Sequence, residues 1–171
     1  MTAPPPDDLD TLADRIGRQL VDAADRRQGA WRTPVLSTLT PDGPSARVIV
    51  VRSVDADACA LEIFTDARSA KVSEIAADPR VALTFWDPQT SEQLRMTAEA
   101  KAVTDPARIA DRWQAIGAAG QALYDRDPGR FLVLEVEWTA WDWLWIGGEP
   151  HRRATFTWTP QGRREAAWTA P

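Results

Sequence analysis

Apolar residues first recur with a helical period. Leu9, Leu12, Ile16, Leu20 and Val21 share one face, so residues 9–24 are predicted to form an amphipathic helix. From residue 35 the period shortens to alternation. Residues 35–40 and 45–52, separated by the turn PDG, predict an antiparallel hairpin. The β-branched run Val48, Ile49, Val50 and Val51 favours a half-buried strand, and Arg47 and Arg52 place a cation at each end of it. After the turn VDADA, Leu61, Ile63 and Thr65 alternate with Glu62, Phe64 and Asp66. That strand runs directly into a short helix with Ser69 as its cap and Val72, Ile75 and Ala76 on one side. Asp78-Pro79 ends the helix, and residues 80–86 resume as a strand. DPQTSEQ reads as a loop and residues 93–103 as a further strand. Asp105-Pro106 opens a helix through Ile116, with GAAGQ ending it. Residues 131–138 present Leu132, Leu134, Val136 and Trp138 as one apolar face. Strands at 155–159 and 163–168, joined by the turn PQG, complete the chain.

Six or more short strands with two or three helices predict a mainly β protein, a small antiparallel barrel with peripheral helices. One domain over residues 9–171 is expected, after a mobile, proline-rich acidic lead at 1–8. Composition excludes several functions. The 44% apolar content and nine tryptophans rule out overall disorder. No apolar run nears the roughly 18 residues of a membrane span, and the start MTAPPPDD lacks a signal core, so the cytoplasm is the expected location. A formal charge of −5 argues against general nucleic-acid binding. Cys59 and His151 are the sole residues of their kinds, which leaves no metal cluster and no paired cysteine nucleophile. No catalytic acid, base or nucleophile is identified.

Candidate chemistry is concentrated where a strand meets a helix. First-turn amides and the helix dipole favour an anion there, with Ser69, Lys71 and Arg68 in reach; a plain amphipathic helix with solvated basic residues is the alternative. Towards the C-terminus, Trp141, Trp143 and Trp145 occupy alternate positions and share a face, which suits a core, a subunit interface or a ligand platform.

RVIVVR, then FTD and SAK, resembles the FMN-binding segment of the pyridoxamine 5'-phosphate oxidase-like split-barrel family. Matching positions are Arg47, Arg52, Phe64, Thr65, Ser69 and Lys71, with Val48, Ile49 and Val50 inside the first motif. Ala70 stands where enzymes of that family often carry a second phosphate-binding arginine, so either Arg68 compensates or the phosphate is held more weakly. Trp145-Ile-Gly-Gly-Glu resembles the family's W-x-G-G segment. Its later arginine falls to Arg153 or Arg152, because the gap is about two residues shorter here. Gln93 matches a glutamine that touches the cofactor. The resemblance implies a split-barrel fold, FMN as cofactor, and a homodimer with flavin at the two-fold interface. The family's Tyr-x3-Arg-x3-Ser pattern for the vitamin phosphate is missing between residues 104 and 130. The expectation is therefore an FMN-dependent oxidoreductase using another small-molecule substrate or electron donor. A flavin carrier or sensor, a true vitamin oxidase and, more distantly, a haem-binding relative remain open, as does a deazaflavin in place of FMN.

Overall fold

The computed structural model describes residues 4–159 and 163–171. The expected PQG turn, residues 160–162, lies outside them. Among the described residues there are nine strands and four α-helices. They are α1 (Leu9–Asp25), β1 (Val35–Thr40), β2 (Gly43–Val48), β3 (Val51–Asp55), β4 (Ala60–Asp66), α2 (Ala70–Ala77), β5 (Arg80–Asp87) and β6 (Glu92–Ala102). After these come α3 (Pro106–Ala115), α4 (Gly117–Ala122), β7 (Phe131–Trp145), β8 (Arg152–Trp158) and β9 (Arg164–Thr169). Asp8 and Asp105 cap α1 and α3 through their carboxylates. GAAGQ does not end the second long helix as its glycines suggest. It forms α4, turned from α3 at Gly117, whose φ is +63°.

All pairings are antiparallel, in the order β2-β1-β5-β6-β7-β4-β3, with β8 on β7 and β9 on β8. One expectation is corrected. Residues 45–52 are not a single strand: β2 ends at Val48 and pairs with β1, whereas β3 begins at Val51 and pairs with β4. Arg47 and Arg52 therefore stand on opposite edges of the strand order. Only Ile49 and Val50 join those edges, and three residue steps span roughly 10 Å at most. The sheet must curl until its edges face each other. It forms a barrel split along one seam, with the Ile49 amide donating to the Pro34 carbonyl at 3.0 Å beside the crossing.

β7 carries the core. Its register against β6 shifts between Thr97 and Ala98, leaving Thr139 as the extra residue of a bulge. That shift changes the phase of burial, so Trp138 and then Trp141, Trp143 and Trp145 all point inward. The opposite face is also covered. Phe131 and Val133 pack with Tyr124, Trp113 and Ile116 beneath α3 and α4.

The roof is fixed by an ionic staple. Glu62 on β4 is 3% exposed and accepts from Ser53 Oγ at 2.8 Å, Arg108 Nε at 2.8 Å and Arg112 Nε at 2.6 Å. Arg108 also pairs with Glu135. Burial pushes the Glu62 and Glu135 carboxyls up, but their hydrogen bonds outweigh it and hold both below the ordinary 4.5. For a carboxyl with a depressed folded pKa, the stability it lends is complete above its unfolded value and is lost as pH falls through its folded value. Thermal midpoints are therefore expected to hold steady from pH 7 to about 5 and to drop below 4.5. A flat midpoint down to pH 3 by scanning calorimetry would contradict this.

Candidate functional site

The seam encloses a cavity of about 230 Å³, lined by Arg47, Val48, Ile49, Val50, Arg52, Ile63, Phe64, Thr65 and Lys71. The crossing chain forms one wall and the end of β4 with the start of α2 the other. Lys71 Nζ donates to Thr65 Oγ1 at 2.9 Å and to Ser69 Oγ at 3.1 Å, and the two hydroxyls are 3.0 Å apart. Ser69 occupies the cap position of α2 but makes no side-chain capping bond; its hydroxyl serves this triangle instead. Across the seam, Arg47 donates to Ser45 Oγ and Glu74 Oε2, each at 2.7 Å, and to Thr38.

The charges leave this cluster short of an anion. Burial, then the nearby Arg47, draw the Lys71 ammonium below its ordinary value, with partial relief from Glu74 and Asp66. Arg52 sits 5.5 Å from the Phe64 ring centroid, and its buried Nε has no hydrogen-bond partner among the described residues. Burial draws its guanidinium down; Tyr124 opposes the shift, while Arg32 and Arg27 add to it. Lys71, Arg47 and Arg52 thus line one cavity beside the Thr65 and Ser69 hydroxyls, with Glu74 and Asp66 as the nearby carboxylates and neither in its lining. A phosphate monoester fits this donor set.

Arg68 is placed elsewhere. Its Nε donates to Asp66 at 3.1 Å, the side chain is 68% exposed, and it does not line the cavity, so the compensation expected for Ala70 is not seen.

The C-terminal group lies apart from the seam. By register Arg47 shares a row with Leu36, Leu83, Met96 and Trp141, which sets Trp145 four strand positions across and four residues along. Trp145 is 8% exposed beneath its own glycines. A Cβ at Gly147 would fall 2.5 Å from the indole Nε1, and one at Gly148 would fall 2.7 Å from the ring, which explains why glycines follow the tryptophan. Gln93 and Arg153 occupy another row, Trp86–Gln93–Leu144–Arg153, on the outer face of the barrel. Arg153 donates to Asp142 at 2.9 and 2.6 Å. Arg152 faces the other way, donating to the Pro5 and Pro6 carbonyls at 2.9 and 3.0 Å and stacking on Trp168. Register thus sets Arg153, not Arg152, beside Gln93.

Sequence reasoning missed Glu74, Thr38 and Glu62. Glu74 is three residues beyond Lys71 and reads as solvated helix. The available signal for Glu62 was Arg108 and Arg112, four residues apart on one helix face.

A split barrel with a cationic cavity in its seam is the FMN-binding type of fold. The family model described as "Pyridoxamine 5'-phosphate oxidase" matches residues 23–142, and the chain belongs to that family. The pyridoxine/pyridoxamine 5'-phosphate oxidase of Cupriavidus necator is 34% identical over 108 residues, 60% of this chain and 50% of that protein. The enzyme of the same name from Trichormus variabilis is 35% identical over 71 residues, 41% and 32% respectively. The chain thus spans a third to a half of the length of these curated relatives. Among solved structures, a pyridoxamine 5'-phosphate oxidase-related, FMN binding protein from Nostoc punctiforme is 26% identical with full coverage of both chains and a TM-score of 0.73. PhzG from Burkholderia lata, in complex with tetrahydrophenazine-1-carboxylic acid, shares the fold at 19% identity, covering 100% of this chain and 98% of its own, with a TM-score of 0.72.

Proposed function

We propose that the chain is an FMN-dependent oxidoreductase whose seam cavity holds the flavin phosphate. The observation that carries this reading is the Lys71–Thr65–Ser69 triangle facing Arg47 across a cavity with more cationic than anionic charge. When bound, FMN supplies the electron or hydride chemistry; the chain's residues bind, orient and shield it. Lys71, Arg47 and the two hydroxyls hold the phosphate. In the wall formed by Val48, Ile49 and Val50, the last two belong to neither strand and leave backbone groups for the polar edge of the ring system.

Gln93 and Arg153 lie on the outer face, so they serve a flavin bound outside this barrel, in the seam of a second copy. Val35, Val48, Leu39 and Trp86 support that arrangement: they are exposed by 36%, 65%, 39% and 44% on β1, β2 and β5, beside Gln93. A homodimer is expected by light scattering at tens of micromolar, and a monomer mass there would remove the shared site.

The purified protein mixed with FMN is expected to retain it through gel filtration, with bands near roughly 370 and 450 nm. A colourless eluate that leaves FMN fluorescence unquenched would falsify the proposal. Reduction by NADH or NADPH separates an enzyme from a flavin carrier. Little pyridoxal phosphate is expected from pyridoxine 5'-phosphate, because no Tyr-x3-Arg-x3-Ser pattern stands between residues 104 and 130.

A further inference from the structure

A second cavity, of about 470 Å³, lies on the far side of Arg52 and Phe64, which line both spaces. Its volume falls in the range of small-molecule sites. Ile116 and Leu123 of the α3–α4 roof, with Phe64 and Tyr124, give it apolar and aromatic walls. Its charges are one-sided. Arg27, Arg32, Arg52 and Arg112 meet one carboxylate, Glu62, which Ser53, Arg108 and Arg112 already occupy. Arg32 spends one terminal nitrogen on the Arg27 carbonyl. The Nε atoms of Arg32 and Arg52 are buried with no hydrogen-bond partner among the described residues. Buried donors are rarely left unmet in a finished fold, and these two belong to residues lining a roomy space.

We propose that this cavity binds a ring-bearing carboxylate. Arg52 and Arg32 would take the carboxylate, since a guanidinium fork matches its geometry, and the ring would pack among Phe64, Tyr124 and Ile116. Arg27, exposed at the mouth, draws the anion in. A carboxylate is the head group favoured here because Ser53, the one aliphatic hydroxyl of the lining, is bound to Glu62, which leaves the planar arginine forks and the Tyr124 phenol as donors in place of the lysine and paired hydroxyls of the seam. Sharing Arg52 and Phe64 places this ligand against the flavin as its reaction partner. That partnership rests on the FMN reading, whereas the binding itself does not.

The test is calorimetric titration of naphthalene-1-carboxylate, naphthalene-1-methanol and 1-naphthyl phosphate into the protein with and without FMN. The carboxylate is expected to bind both forms, tighter than the phosphate and roughly tenfold tighter than the alcohol, the worth of about one charge-assisted hydrogen bond. Arg32→Met should erase the preference over the alcohol and leave FMN affinity unchanged. Leu123→Trp, at a position 71% exposed, should weaken the carboxylate by filling the space with every arginine retained. Equal binding of the alcohol, tighter binding of the phosphate, or full carboxylate affinity in both variants would overturn the proposal. Failure of FMN alone, with carboxylate binding intact, overturns the flavin reading and leaves this one standing.

Discussion

Lys71→Ala is expected to weaken FMN roughly tenfold to a hundredfold while leaving riboflavin unchanged. The range follows from one charge-assisted hydrogen bond, about 1.5 to 3 kcal/mol, lost from a partly buried site. Lys71 lies 2.9 and 3.1 Å from the Thr65 and Ser69 hydroxyls, so its ammonium is already aimed into the cavity. Burial and the neighbouring Arg47 draw its pKa down despite Glu74 and Asp66, and a phosphate would add negative charge beside it. Riboflavin has no phosphate and never uses the contact. Fluorescence titration of both flavins decides the matter, with Lys101→Ala as control because Lys101 bonds Glu135 and Glu137 on β7 instead. Equal losses for the two flavins would take Lys71 out of the phosphate site.

The largest stability effect is expected at Glu62. Breaking a buried ion pair from one side costs about 3 to 5 kcal/mol. Here Arg108 and Arg112 are 33% and 39% exposed and regain some hydration, so about 2 to 3 kcal/mol is the expected cost of Glu62→Ala. In a chain of this size that lowers the melting midpoint by roughly 4 to 12 °C. FMN affinity should change little, since Glu62 lines the larger cavity and not the seam. A change below about 1 kcal/mol would show that the staple is solvated rather than structural.

How much of this was legible in the sequence depended on what fixed each feature. Alternation and capping residues placed β1, β4, β5, β6, α1 and α3 almost to the residue, because burial and backbone satisfaction are local demands. The break at Ile49-Val50 carried no glycine or proline, and a β-branched run reads as one strand whichever ladder it joins; only the curl of the sheet divides it. α4 was hidden for the opposite reason, since GAAGQ carries the marks of a helix end and the roof packing overrides them. Motif spacing grouped Arg47, Lys71, Gln93, Trp145 and Arg153 as one set. Their division among the seam, the inner face that holds Trp145 and the outer face depends on register, which spacing along the chain does not encode. Arg68 was drawn in by its position before Ser69, and the competing pull of Asp66 two residues away went unweighed.

The crossing from β2 to β3 also constrains how such a protein can diverge. Two residues bridge edges that every other strand helps to set apart, so an insertion there would change the girth of the whole barrel. Side chains at the crossing can be exchanged, but its length is locked to the strand count. The α3–α4 roof bears no such constraint, because it lies outside the ring of hydrogen bonds and is held chiefly by one carboxylate and a small aromatic cluster. A lineage built on this plan is free to re-tailor what lies under the roof while its seam stays the same.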